Sequence, residues 1–400
     1  MIDKLVIQIP FSPAVVRGYG RADDMPVLLS TPWLTEGVFS VPASRLPFPT
    51  AARELSWDGE QWQPEEIYCP WESIATSHAG LAVKPYLEGN GKLAWPYLEI
   101  KASPAKLVQG HNVWGTDRVG PCVRNMLGVL CGKYPAIGDM IDIQYARITE
   151  IDITYSVRIP FEAHRQGLLD VLRSTSKGQT RNRGDAYQST VYFGSKTSRL
   201  RKIKVYLKGP ELEREIEERK RRKLPLPGSD VVTTAQDLVR FELTLKRNWF
   251  ERRNISVYLF DFIEWLDSDY SQIRKVYNEG MKDLFSALCG EVVTVTSDKD
   301  VMTAIDRVHG ETRGKTARLM GFYQALKSVG YEMLKTQYPA RSFRRYVSDL
   351  EAAGFSRAHL CSLHETQGNT VIAFPQLVTI DMLEEPAPDD YAYPLLDIAS

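Results

Sequence analysis

Tyr206 stands between Lys204 and Lys208 in the run Lys-Val-Tyr-Leu-Lys. Strand alternation would put all three side chains on one face. A tyrosine, with a pKa of about 10, is a poor nucleophile at neutral pH. Neighbouring cations favour its phenolate, and a metal ion can polarise a phosphate that it attacks. A solvated surface strand would carry the same pattern for no chemical reason. Residues 173–208 hold ten bases against the single acid Asp185, a net +9 in 36 residues. Such a cluster attracts a phosphate backbone through counterion release. It is also what an ordinary solvated loop looks like. Tyr187, Tyr192 and Tyr206 lie within it, and bases stack on aromatic faces.

Three other strand-like runs put acids on a polar face: Glu99 in YLEIKA, Asp152 in RITEIDITYSVR and Glu242 in DLVRFELTLK. Hard oxygen donors from separate strands of one sheet suit Mg²⁺. Each acid alone is more simply explained as a solvent-facing or salt-bridged residue, with Lys101 and Arg240 as the obvious partners. His111, in QGHNVWG, could bind a metal, donate a catalytic hydrogen bond or stabilise a turn. Arg341, Arg344 and Arg345 begin a late helix and could touch phosphates or form a plain charged face. No phosphate-binding loop, dinucleotide fingerprint, nucleophile elbow or His-Glu-x-x-His run occurs, so neither ATP nor NAD is expected.

The elements that must position these groups follow from periodicity. Short apolar runs at Leu5–Ile9, Val27–Leu29 and Gly37–Val41 read as strands in a Pro-rich first hundred residues. Residues 53–72 there carry six acids against Arg53. Strands are predicted at 97–102, 147–158, 189–195, 201–208 and 237–246. Helices are predicted at 103–132, with Ser103 and Pro104 as cap and first-turn pair, at 161–173 and at 210–223. A polar loop fills 174–187. From about 250 the pattern turns helical, at 257–267, 269–288, 297–309, 314–330, 341–353 and 356–364. The expected class is α+β, a mixed or antiparallel sheet core over 1–250. A mainly helical region over 251–375 and an acidic tail over 376–400 follow.

Fifty bases balance fifty acids in 400 residues, so the net charge is zero. That excludes a chain that coats nucleic acid by overall charge, but not one with a local basic surface. The balance is a sum of opposed regions, since residues 358–400 contain seven acids with neither Lys nor Arg. The five cysteines are scattered and lack a C-x-x-C, which argues against a disulfide framework or structural zinc. No apolar run approaches the roughly 20 residues of a membrane helix, and no targeting segment is evident.

Several blocks together resemble the filamentous-phage gene II replication-initiator proteins, in the same order along the chain. They are MIDKLVIQIPF, LEIKASPAKLVQGHNVWGTD, EIDITYS, SKGQT, STVYFGSKTSRLRKIKVYLK, LVRFELTLK and SFRRYVSDLEAAG. The late half is similar to the region that this phage family also makes as a separate gene X product. The resemblance implies a rolling-circle initiator. Such a protein nicks the viral strand at its origin, is linked through a tyrosine to the 5′ phosphate, then cleaves again and joins the ends. The tyrosine carried over falls on Tyr206. The implied cofactor is Mg²⁺ or Mn²⁺. The implied partners are origin DNA, as supercoiled duplex and single strand, and the host helicase, replicative polymerase and single-strand-binding protein. The implied place is the host bacterial cytoplasm, with no membrane.

The segment before Tyr206 also resembles the tyrosine region of plasmid Rep proteins. The wider Rep and relaxase group holds its metal with a His-hydrophobic-His motif that this sequence lacks. Asp152 and Glu242, with Glu99 and His111 as helpers, are the physical substitute. The expected catalytic group is thus Tyr206, Lys208, Asp152 and Glu242. The expected DNA contacts are Lys101, Lys196, Arg199, Arg201, Lys202, Lys204 and Arg240. A non-catalytic origin-binding protein and a plasmid-type Rep are the alternatives.

Overall fold

The structure is a computed structural model. It describes residues 1–19, 38–57, 62–88, 95–174, 176–177, 180–181, 189–195, 197–288, 298–310, 314–355, 360–361, 363–364 and 378–396. Val27–Leu29 and most of the helix expected at 356–364 lie outside these residues.

Eight strands form one antiparallel sheet: β1 (Ile2–Pro10), β2 (Glu72–Ala75), β3 (Gly80–Tyr86), β4 (Tyr97–Ala102), β5 (Arg147–Arg158), β6 (Thr190–Phe193), β7 (Arg201–Leu207) and β8 (Leu238–Lys246). Their order across the sheet is β6-β7-β8-β5-β1-β4-β3-β2. This is the expected α+β class. Alternation sorts each strand into two faces. Leu98 and Ile100, Ile151 and Ile153, Ile203 and Val205, and Phe241 and Leu243 are buried on one face. The helices α2 (Val119–Lys133), α3 (Glu162–Ser174), α7 (Leu259–Asp267) and α8 (Gln272–Leu288) complete that core with Met126, Leu169, Phe262 and Met281. The apolar core that begins at Ile2 therefore runs past residue 250 to Phe285.

Two bulges adjust the alternation of the central strands. Between the pairs Ile2–Ile153 and Lys4–Asp152, β1 has one extra residue, Asp3. Between Val6–Glu150 and Ile7–Ile148, β5 has the extra residue Thr149. An extra residue re-aims the side chains around it. Both Ile148 and Ile151 can then reach the core.

The helix expected over 103–132 is two helices, α1 (Pro104–Gln109) and α2. Gly110, at φ 81°, ends α1 in the left-handed region that only glycine enters cheaply. Ser103 makes no cap; its hydroxyl donates to Asp3 instead, at 3.4 Å. The charged helix α4 (Lys208–Arg222) starts at Lys208, two residues before its proline. The helices α5 (Ser229–Gln236) and α6 (Arg247–Glu251) flank β8.

A second apolar cluster lies further along the chain. It joins α9 (Asp298–His309), α10 (Lys315–Val329), α11 (Tyr331–Gln337) and α12 (Ala340–Ala352) through Ile305, Phe322, Leu334 and Val347. The short helix α11 lies between the two helices expected at 314–330 and 341–353. The acidic segment from Val378 onward returns to the sheet. Val378 and Leu383 are buried in the main core. Ser156 and Glu384 exchange backbone hydrogen bonds of 2.8 Å, and Arg274 donates to the carbonyls of Ile380 and Leu383.

Helix α8 approaches β8 closely at Gly280, where an added Cβ would lie 2.3 Å from Leu243 Cδ2. Gly280→Val should therefore lower stability by about 1–3 kcal/mol through overpacking. Gly132, exposed in α2 with nothing within 4 Å of an added Cβ, is the contrasting site. Gly132→Ala should be neutral or gain up to about 1 kcal/mol. Denaturant melts of the two variants check the pair.

Candidate active site

The face opposite the core is polar, and the register of the central strands sets its layout. One row reads Thr190, Tyr206, Arg240 and Ser156 across β6, β7, β8 and β5. The next reads Tyr192, Lys204, Glu242 and Thr154. The third reads Lys202, Thr244, Asp152 and, on β1, Lys4. The fourth reads Lys246, Glu150, Val6 and, on β4, Lys101. Rows on one face are two residues apart, roughly 6.6 Å.

Tyr206 is 2% exposed, not the surface tyrosine that a solvated strand would carry. Burial pushes its phenol well above the usual range; Arg240 opposes this, and the charges of Glu242, Asp3 and Glu211 add to it. Lys204 Nζ sits 4.0 Å from the ring centroid and reaches Glu242 Oε2 at 3.2 Å. Arg240, directly opposite Tyr206, is buried. It donates to the backbone carbonyls of Asn112 and Val113 and, at 3.3 Å, to Ser156 Oγ. The turn after α1 is thereby pinned over this end of the face. Asn112 in turn donates to Asp3 at 2.5 Å and accepts from Lys208 Nζ at 2.6 Å. Lys208 is fully buried and paired with Glu211. Burial pulls its ammonium down to about 8 against the attraction of Glu211. Glu211 is held at about 2, where Lys208 and Lys106 outweigh the effect of burial. Burial acts to raise Asp3, yet Arg240 and Lys208 keep it below the normal carboxylate range.

The acids one and two rows away behave differently. Burial and then the charge of Glu242 push Asp152 well above the usual carboxylate range, despite Lys4 and a hydrogen bond from Thr244. Glu242 is likewise raised by burial, with Lys204 opposing. Asp152 Oδ1 and Thr154 Oγ1 are buried and have no hydrogen-bonding partner among the described residues. They alternate on β5, and Glu242 lies opposite Thr154. Two like-charged carboxylates beside an unpartnered hydroxyl form an oxygen-rich locus that a cation would relieve. Among the described residues, no three His, Cys, Asp or Glu side chains are grouped to hold a metal on their own. The oxygen donors of Asp152, Thr154 and Glu242 are of the kind that suits an ion such as Mg²⁺, which takes one or two carboxylates and fills the rest of its shell from water and phosphate.

The expected site residues divide accordingly. Tyr206, Lys208, Asp152 and Glu242 share this region of the polar face. Glu99 does not join them. It lies on β4, opposite Gln8, and accepts a 2.8 Å hydrogen bond from it. From strand spacing it is roughly 15 Å from Asp152. His111 lies at the Lys208 end, edge-on to Trp114 at 4.7 Å, and burial lowers it to about 4, so it is neutral.

Of the expected DNA contacts, Arg240 is a buried brace rather than a surface cation. Arg201 donates to the Gly280 carbonyl at 2.5 Å and pairs with Asp283. Lys101 lies 3.7 Å above the Trp71 ring, Lys202 is half-buried and Arg199 is exposed. Lys196 lies outside the described residues. Asp3, Asn112, Thr154 and Glu211 were missed. The alternation of EIDITYS already put Thr154 on the polar face. In MIDKL alternation puts Asp3 on the core side with Leu5, and the bulge re-aims it, while nothing local marked Asn112 or Glu211.

The sequence comparisons bear on the whole of this region. The N-terminal model of the phage replication-associated protein family (the gene II product) matches residues 1–260, and its C-terminal counterpart matches residues 312–397. The chain belongs to this replication-associated protein family. Family members from Enterobacteria phages M13 and f1 are 32% and 31% identical over 100% of both chains. The Salmonella phage IKe member is 29% identical over 99% of this chain and 97% of its own. No solved structure matches. The N-terminal family region contains the entire site and ends within α7. Among the described residues no helix is long and apolar enough to cross a membrane.

A raised carboxyl in the fold favours stability below its unfolded pKa, and that stability is lost as pH rises through the folded value. Asp152→Asn should therefore melt higher than the parent at pH 8, with the advantage shrinking towards pH 4. Each kcal/mol should appear as roughly 2–4 °C. Mg²⁺ should raise the melting temperature of the parent but not of Asp152→Asn.

Proposed function

We propose that this protein initiates rolling-circle replication of a filamentous phage by nicking and rejoining the viral strand at its origin. The observation that carries the reading is Tyr206 one row from Glu242 and two from Asp152, inside the region that defines the family. The phenolic oxygen attacks the scissile phosphorus, and a bond to the tyrosine replaces the bond to the 3′ oxygen. The phenol's proton ends, in net, on the departing 3′ hydroxyl. The 5′ phosphate stays on Tyr206, so the phosphodiester energy is stored. A later 3′ hydroxyl attacks this linkage and releases the tyrosine, which needs no ATP.

Resting Tyr206 is a neutral, covered phenol. A strand entering this face offers Lys204 a phosphate in place of the ring, which opens the tyrosine's edge. Arg240 and Lys208 keep their buried positions and stabilise the developing phenolate through space. Asp152, Thr154 and Glu242 are the residues that would hold a divalent ion. When bound, that ion supplies charge neutralisation and positioning for the phosphate. Origin duplex and single-stranded DNA are the proposed partners, with the host helicase, polymerase and single-strand-binding protein acting on the product. The host cytoplasm is the proposed place of action.

Incubation with Mg²⁺ and a labelled origin oligonucleotide should give an adduct that survives denaturation. Tyr206→Phe should abolish it while leaving origin binding within about twofold. An adduct that persists in this variant would remove Tyr206 as nucleophile. Asp152→Asn and Glu242→Gln should each cut nicking at least about 100-fold, on the scale of losing one strong electrostatic stabiliser. Unchanged cleavage in both would remove them from the site. A wild-type protein that binds its origin without ever forming an adduct would favour the binding-only alternative.

A further inference from the structure

Further along the same polar face, beyond the Lys246–Glu150 row, an open pocket of about 380 Å³ is lined by Gln8, Thr149, Arg199, Lys246, Arg247 and Asn248. Its cations outnumber the acids that face them. Lys246 pairs with Glu150 at 3.4 Å, but Glu150 is shared with Lys4. Arg247 pairs with Glu251 at 3.0 Å. Arg147, at the back, donates to Gln8 Oε1 at 3.1 Å, and Gln8 donates to Glu99. Burial and the nearby Arg247 charge pull Arg147 down to about 10, so it remains charged at neutral pH. Arg199, Lys246 and Arg247 line one open space, where their fields add for an entering anion. Asn248 adds a neutral amide that can donate to one. Beside the pocket, Tyr97 stacks on Tyr86 at 4.6 Å, giving an aromatic surface next to the charge.

We propose that this pocket is a phosphate subsite that grips the DNA strand a few nucleotides from the scissile phosphate at Tyr206. The inference rests on the nicking function proposed above and deepens it. Arg147 is five residues from Asp152 along β5, roughly 15 Å, on the face the strand must cross. Local grip of this kind reconciles zero net charge with DNA binding.

The test is a phosphate scan. Origin single strands, each with one neutral methylphosphonate, are titrated against wild type, Arg199→Gln and Arg247→Gln. Melting curves confirm that both variants are folded. Wild type should lose about tenfold in affinity at one position away from the nick, the size of one charge-assisted hydrogen bond. The variants should be insensitive at that position. Their slope of log K against log salt should fall by about 0.7 for the lost contact. A scan flat outside the nick overturns the proposal. So does competition by inorganic phosphate through Arg199 and Arg247 without any positional loss, which would make the pocket a free-anion site. Adduct formation on Tyr206 is read separately. Its failure beside a positive scan sinks the nicking function, and a flat scan beside an intact adduct sinks the subsite alone.

Discussion

The two-residue period of the antiparallel strands governs this molecule. Each central strand must bury every second side chain against the helices, which forces the intervening side chains onto the other face. Over β7, β8, β5 and β1, those intervening residues are almost all charged or hydroxylated. Adjacent strands lie only about 4.8 Å apart, so the charges meet at distances where they strongly shift one another. The site results from this crowding, and the bulge at Asp3 adds one more acid to it.

The crowded face separates into two electrostatic regimes. Near Tyr206, cations and acids are matched: Arg240 and Lys208 with Asp3 and Glu211, tied by Asn112. That matching fixes the turn after α1 and hides the phenol in a neutral state. Around Asp152 and Glu242 burial raises both acids, and a neighbouring carboxylate adds to each, Glu242 to Asp152 and Asp3 to Glu242. One region is complete in the protein alone, and the other gains from a cation and a phosphate. A bound cation would supply the missing positive charge at the second region, and the phosphate it attracts would draw Lys204 from the first.

Much of the sheet was legible because its strands have clean two-residue alternation. YLEIKA, RITEIDITYSVR and LVRFELTLK fall within a residue of β4, β5 and β8. The charge gradient of PELEREIEERKRRK marked α4 for the same reason of local pattern. The break at Gly110 was written in the sequence as QGHNVWG but outweighed by the helical signal on both sides. What could not be read was long-range. Asn112 touches Lys208 across 96 positions, and Glu384 pairs with Ser156 across more than two hundred. Local spacing also suggested that Tyr206 and Lys208 were solvated, because Arg240, which faces Tyr206, and Asn112, which holds Lys208, come from elsewhere in the chain.

The most direct test of the central claim is peptide mapping of the protein–DNA adduct by mass spectrometry. Wild-type protein cleaving its origin should carry the nucleotide on the peptide that contains Tyr206. A nucleotide on Tyr192, or on any other residue, would contradict the account.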